Sequence, residues 1–458
     1  MEYGILSLLI PLLTIGLAII TKDVIISLLG GIFAGLLLLN DYQLLTALLA
    51  LLDGIIALLA EGWIAKSLLF VLLIGAVIDL LRRSGSVDSF ILYLSQHAKQ
   101  IDSPRGAMLL AYGIGVVIFI ESSITSLVAG TVAQPLCDKH QVSREKLAYI
   151  CDSTSAPICS LILLNGWGAL LLGLIVSAID SQVIVGDGVG ILIASIPYNF
   201  YAMVTLVIVL VVILMGWDIG AMARTTPKPY DATHLPAQTE ATLYPMLLPL
   251  LVMLIAVPLG LYYTGEGDFF KGSGSTSVYY GVSATLLFSY LYYRFTHRLT
   301  HAGYFESFYA GIGSMIPVTL ILLLALFIGK VIGELGTASY LAHLLHGHIP
   351  VMLIPLLLFW VAGVMAFATG TSWGTFSIMM PIALSLGATM GVEIPLVIGA
   401  VVSGGIFGDH ASPISDTTII SSMAAGCDHV AHVRTQLPYA LLGGGIASVG
   451  FLVVGWIG

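Results

Sequence analysis

IFIESSITSLVAG (residues 118–130) and FATGTSWGTF (residues 367–376) interrupt long apolar sequence with glycine, serine and threonine. Each is followed by a proline, Pro135 or Pro381, and then by a polar stretch that ends in another proline. In the first half that stretch is Asp152-Ser153-Thr154-Ser155-Ala156-Pro157. In the second it is Gly408-Asp409-His410-Ala411-Ser412-Pro413. Polar, helix-breaking sequence at membrane depth is costly unless it lines a site enclosed by protein. Two copies of one arrangement predict a transporter built from internal repeats, with its site between them.

Composition agrees. The chain has 458 residues, of which 58% are hydrophobic and only 9% charged, and its mean hydropathy is +1.03. Soluble domains carry about 25% charged residues, so this is an integral membrane protein. The apolar runs are continuous and about 17–25 residues long, which is the helical signature rather than the alternation of a barrel. A net charge of −9 spread over the loops excludes a nucleic-acid partner. The run from Gly4 to Ile20 lacks a basic leader and a small-residue cleavage site, so it reads as a retained first helix. Cys137, Cys151, Cys159 and Cys427 sit in spans or at their ends, where no disulfide is expected.

Charge orients the spans. After runs at 4–21, 24–40, 44–60 and 64–81 comes a basic stretch with Arg82, Arg83, Lys99 and Arg105. The positive-inside rule puts it, and with it the N-terminus, in the cytoplasm. Segment 106–136 has basic residues on both flanks and is shorter than the roughly 40 residues that two crossings need, so it reads as a re-entrant hairpin. A broken helix follows over 147–179, then a return over 191–215 to a cytoplasmic linker at 216–242. The second half repeats the pattern from the opposite side, with a hairpin at 350–391 and a broken helix at 394–426. The expectation is an all-α polytopic protein with about 11 crossings, two hairpins and two broken helices. An N-terminal helix (1–23) precedes inverted repeats at 24–215 and 243–458, and the C-terminus lies outside.

Broken helices expose carbonyls at one half-helix end and N–H groups at the other. With hydroxyls and a carboxylate, the carbonyls make a hard oxygen cage for a small cation such as Na⁺, while the N–H ends attract anions. The first centre offers Glu121, Ser122, Ser123, Thr125, Asp152, Ser153 and Thr154. The second offers Thr369, Thr371, Ser372, Thr375, Asp409, Ser412 and Asp416, with His410 as a further proton carrier. The Na⁺ ligands expected are Asp152, Ser153, Thr154, Asp409 and Ser412. Competition of H⁺ and Na⁺ for one carboxylate is the minimal machine for exchange. No other cofactor is implied. His343, His346 and His348 read as a solvated outer loop, and Cys427-Asp428-His429 as a helix end. Ser412, His410 and Asp409 stand too close along the chain for a catalytic triad, and breaks on both faces argue against a passive channel.

At SREKLAYICDSTSAPI (143–158) and FGDHASPISDTTIISSMAAGCDHVAHVRTQLPYAL (407–441) the chain resembles the NhaC family of sodium/proton antiporters. The resemblance implies Na⁺/H⁺ exchange across a bacterial inner membrane by an inverted-repeat, elevator-type carrier, a homodimer embedded in lipid. It maps the family's signature onto Asp152, Ser153, Thr154, Asp409, His410, Ser412, Pro413 and Asp416. One departure is the first tip: Glu121-Ser122-Ser123 stands where many relatives carry paired aspartates and an aromatic. That tip leaves room for an alternative cargo, a small organic solute such as an amino acid or a carboxylate driven by Na⁺.

Overall fold

The apolar runs become helices, and short polar side chains cap the starts of several of them. The computed structural model describes residues 3–21, 23–86, 89–90, 92–93, 103–119, 122–162, 165–227, 241–267, 272–337, 340 and 349–457. Among them all regular structure is helical. Lys99, Glu121, Lys228, Pro229, Asp268, Lys271 and the three histidines at 343, 346 and 348 lie outside the described residues.

The four leading runs form α1 (Leu6–Thr21), α2 (Val24–Leu39), α3 (Leu44–Ala60) and α4 (Gly62–Arg83). A helix pair follows, α5 (Pro104–Val117) and α6 (Ser122–Lys139). Ser103 caps α5 by accepting from Gly106 N at 3.0 Å, with Pro104 at the first turn, where its missing N–H costs nothing. Next come α7 (Arg144–Leu161) and α8 (Gly166–Asp180), bent by 41°, and then α9 (Gly188–Ser195) and α10 (Phe200–Met215), bent by 43°. The second half comprises α11 (Tyr244–Thr264), α12 (Gly274–Phe295), α13 (His301–Glu334), α14 (Ile354–Thr369), α15 (Ser372–Met390), α16 (Ile394–Ala411), α17 (Asp416–Ala425) and α18 (His429–Ile457).

The order of elements occurs twice. Three helices, a helix pair, a helix–break–helix unit and a closing helix, which in the first copy is the bent pair α9–α10, appear as α2 to α10 and again as α11 to α18. Helices α4 and α13 pack along each other with α2, α3 and α12 around them. At their crossing Gly75 and Gly311 meet backbone to backbone, with no room for a methyl group on either. Arg83 pairs with Glu306 at 2.7 Å, and Lys66 Nζ donates to Thr276 at 2.9 Å. The second group collects the two helix pairs and the two broken units, with α6, α7 and α17 in mutual contact and α16 packed on α14, α10 and α18. At one edge the Arg144 guanidinium grips Asp138 through both carboxylate oxygens, at 3.1 and 2.9 Å, and donates to the Gly426 carbonyl at 3.1 Å, tying α6, α7 and the end of α17.

Among the described residues seven helices are long and apolar enough to cross a membrane, or nine when each bent pair counts as one span. Both arms of the second pair meet that test, whereas α5 is one of the shorter apolar helices.

Two details depart from the sequence reading. The run 152–157 is not a break: α7 continues through it, and the interruption falls between Leu161 and Gly166. Hydroxyls explain the continuity, because Thr154 Oγ1 donates to Ile150 O at 2.8 Å and Ser155 Oγ to Asp152 O at 3.3 Å, adding to the helical ladder rather than replacing it. Asn165 explains the true break. Its Oδ1 caps α8 through Trp167 N and Gly168 N, and its Nδ2 lies 2.8 Å from the carbonyls of Cys159, Ile162 and Phe119. The second departure is the return at 191–215, expected as one span, which a turn at Ile196–Tyr198 divides at Pro197.

Candidate ion-binding site

Asp152 sits in the middle of α7 with no solvent exposure. Its Oδ2 accepts from Thr418 Oγ1 of α17 at 3.0 Å and from Gln436 Nε2 of α18 at 2.6 Å, and His432 Nε2 lies 3.5 Å away. Gln436 Nε2 also lies 2.7 Å from the His410 carbonyl oxygen. Two acceptors facing one terminus of the side-chain amide fix its orientation. Next to Asp152, Ser153 Oγ is 2.9 Å from His410 Nε2, and the other ring nitrogen, Nδ1, is 2.6 Å from Tyr201 OH of α10. Residues from both halves of the chain therefore converge on one buried carboxylate.

A serine seam runs beside it. Ser126 Oγ of α6 donates to Ser155 Oγ at 2.8 Å, and Ser421 Oγ of α17 donates to Ser126 Oγ at 3.1 Å. A second acidic point lies at the other helix pair, where Ser372 Oγ, at the start of α15, donates to Asp409 Oδ2 at 2.8 Å. Between α14 and α15, Gly370 takes φ +67° and packs against Ile414 in the α16–α17 break, a left-handed turn that an L side chain would strain. Ser412 Oγ in that break donates to Phe367 O at 2.8 Å, fastening the break to the end of α14.

The expected residues divide accordingly. Asp152, Ser153 and His410 meet, and Asp409 meets Ser372. Thr154, Thr369 and Thr375 turn back to carbonyls of their own or the preceding turn, at 2.8–2.9 Å. Thr371 caps α15 through Gly374 N at 3.4 Å. Ser122 is buried at the start of α6, Ser123 is half-buried beside it, and Thr125 Oγ1 donates to Ile118 O across the first tip at 2.5 Å. Glu121 lies outside the described residues. Asp416 opens α17 after the N-cap residue Ser415, with its side chain outside the description. Asp409, His410 and Ser412 each bond a different partner and form no nucleophile line. Among the described residues no group of three or more His, Cys, Asp or Glu could hold a metal ion.

Thr418, Gln436 and Tyr201 were not singled out from the sequence, and His432 was read, with Cys427-Asp428-His429, as a helix end rather than as a partner of Asp152. The available signal was His432 and Gln436, four residues apart and so on one face of α18, two polar side chains within a largely apolar helix.

Residues 158–456 match the Na⁺/H⁺ antiporter family. An uncharacterised protein of Haemophilus influenzae is 37% identical over 98% of this chain and 91% of its own length. A malate-2H⁺/Na⁺-lactate antiporter of Bacillus subtilis is 39% identical over 21% of each chain. In three dimensions the chain is similar to MtrF of Neisseria gonorrhoeae, described as illuminating a class of antimetabolite efflux pumps, with a TM-score of 0.62 and 14% identity over 91% of this chain and 85% of that one.

Proposed function

The chain belongs to the Na⁺/H⁺ antiporter family, a multi-pass membrane transporter and not an enzyme, and on that premise we propose that it exchanges Na⁺ for H⁺ across a bacterial inner membrane. One observation carries this reading: a fully buried carboxylate, Asp152, held by Thr418 and Gln436 at one oxygen only. An ionised carboxylate without a full set of partners is unfavourable in a buried setting, so it is stabilised in turn by a proton or a cation. Ser153 and the Asp409–Ser372 pair are the further oxygen donors. The repeated order of elements supports a carrier of two repeats; we propose that they are inverted and work by elevator-type alternating access, as a homodimer in lipid with the N-terminus cytoplasmic and the C-terminus outside.

Purified protein in liposomes with a trapped pH dye tests the reading. A saturable proton flux on stepping external Na⁺, with no organic solute present and the voltage clamped, is the expected result. A flux that appears only after a hydroxycarboxylate or an amino acid is added would replace it with a second reading, a Na⁺-driven solute carrier. The similarity to the malate/lactate antiporter over part of the chain favours that alternative, and the α8 and α15 N-termini could receive a carboxylate without an arginine.

A further inference from the structure

Asp152 and two polar side chains of α18, Gln436 and His432, come together with atoms left unpartnered. Among the described residues Asp152 Oδ1, Gln436 Oε1 and both ring nitrogens of His432 are buried without a hydrogen bond. The residues themselves are 0%, 1% and 0% exposed. Buried polar atoms without partners are rare in folded proteins, and each calls for a physical reason. Here they belong to three side chains that meet at Asp152 Oδ2. Gln436 Nε2 is committed to Asp152 Oδ2 and His410 O, so Oε1 is turned away from both acceptors. Asp152 Oδ1 and Gln436 Oε1 are therefore the free ends of two groups whose other ends are locked in the same hydrogen bond. His432, one turn before Gln436, puts Nε2 3.5 Å from the same carboxylate. An ionised carboxylate and an amide carbonyl are hard oxygen donors, and their pairing suits a small, weakly polarisable cation.

We propose that Gln436 Oε1, together with Asp152 Oδ1, directly ligates the transported Na⁺, so that α18 completes a site otherwise built from the broken helices. The proposal rests on the Na⁺-coupled reading and adds to it a ligand on the closing helix. Gln436 then does two things. Its amide N–H holds Asp152 in register, and its carbonyl oxygen faces the ion. A group with a donor alone would do the first without the second.

The test measures Na⁺ binding without transport, as the rise in thermal unfolding midpoint of the purified, detergent-solubilised protein on titration with NaCl against choline chloride, alongside the Na⁺ dependence of flux in liposomes. Gln436→Met keeps the volume and removes both functions. It is expected to raise the half-saturating Na⁺ concentration about tenfold or more in both assays. Thr418→Val removes a donor to the same carboxylate but no oxygen from the proposed pair, so its shift is expected to be smaller than that of Gln436→Met by about threefold or more. Gln436→Asn withdraws the oxygen by one methylene and gives the same reading if the Met variant does not fold. A half-saturating concentration within about twofold of the parent in folded Gln436→Met or Gln436→Asn overturns the assignment. A parent protein that Na⁺ neither stabilises nor drives overturns the Na⁺-coupled reading itself, and the ligand with it; the two failures are told apart by which protein shows them.

Discussion

Helices α7 and α16 meet at two points along their length, and these two crossings are built on matching positions with opposite chemistry. Each helix has 18 residues. Ser153 and Ser403 stand at the same distance from their helix starts, as do Ser160 and His410. At one crossing Ser153 meets His410 directly at 2.9 Å. At the other, Ser403 and Ser160 are bridged by Asn199, which accepts from Ser403 at 3.1 Å and donates to Ser160 at 2.8 Å. Tyr201 touches both, with its N–H on Ser403 Oγ and its hydroxyl on His410. The Ser403 crossing is neutral and its hydroxyls are paired, as a structural joint should be. The Ser153 crossing adjoins a carboxylate, an amide and an imidazole with unpartnered atoms. The first difference to explain is therefore not position but satisfaction: one crossing holds the helices together, and the other has bonding capacity left for a cargo.

Asp152→Asn should break the comparison most completely, because it makes the Ser153 crossing neutral like the Ser403 crossing. An amide has no net charge with which to neutralise a cation and cannot exchange a proton near neutral pH. Na⁺-dependent flux should fall by about a hundredfold or more, and Na⁺ should no longer raise the unfolding midpoint. Flux at the parental level would remove Asp152 from the mechanism.

Asn199→Leu attacks the other crossing. It leaves Ser403 without its acceptor and Ser160 without its donor in a buried setting, a loss of about 1–3 kcal/mol. The unfolding midpoint should fall, while the half-saturating Na⁺ concentration of the surviving folded protein stays within about twofold of the parent. A large shift in Na⁺ dependence with little change in stability would reverse the roles given to the two crossings.

That contrast also marks how far the sequence could be read. Two polar centres in apolar sequence, their helical surroundings and the convergence of both halves on Asp152 and His410 were legible, because charged and hydroxyl residues at membrane depth have few other uses. The register was not. Asp152-Ser153-Thr154 was paired with Gly408-Asp409-His410 by composition, yet the residue matching Asp409 on α7 is Cys159, and the one matching Asp152 is Val402. The break was placed over the polar run 152–157, when the decisive residue was Asn165, whose one side chain serves both sides of the gap. Gln436 and Thr418 escaped notice because neutral side chains on helices give only a weak signal, here the spacing of Gln436 from His432, until a partner is known. Carboxylates announce themselves in a sequence; the groups that orient them do not.

Thr154 gives the smallest and sharpest check on this argument, since composition ranks it with Asp152 and Ser153 while its geometry does not. Its hydroxyl donates to Ile150 O at 2.8 Å and lies 3.2 Å from Cys151 O, both within its own helix. Its hydroxyl and Cβ face α5 at Gly115, which has no room for a methyl group of its own. Thr154→Val keeps that shape and removes a bond that only supplements the helical ladder, so stability should change by no more than about 1 kcal/mol. The half-saturating Na⁺ concentration should stay within about twofold of the parent. Thr154→Leu, by contrast, should destabilise through overpacking against Gly115 by about 1–3 kcal/mol. If the valine variant instead loses Na⁺ dependence while folding normally, the hydroxyl oxygen has a role in the ion's shell that a bond to its own helix does not exhaust, and the division between satisfied and unsatisfied groups would have to be drawn through single atoms rather than side chains.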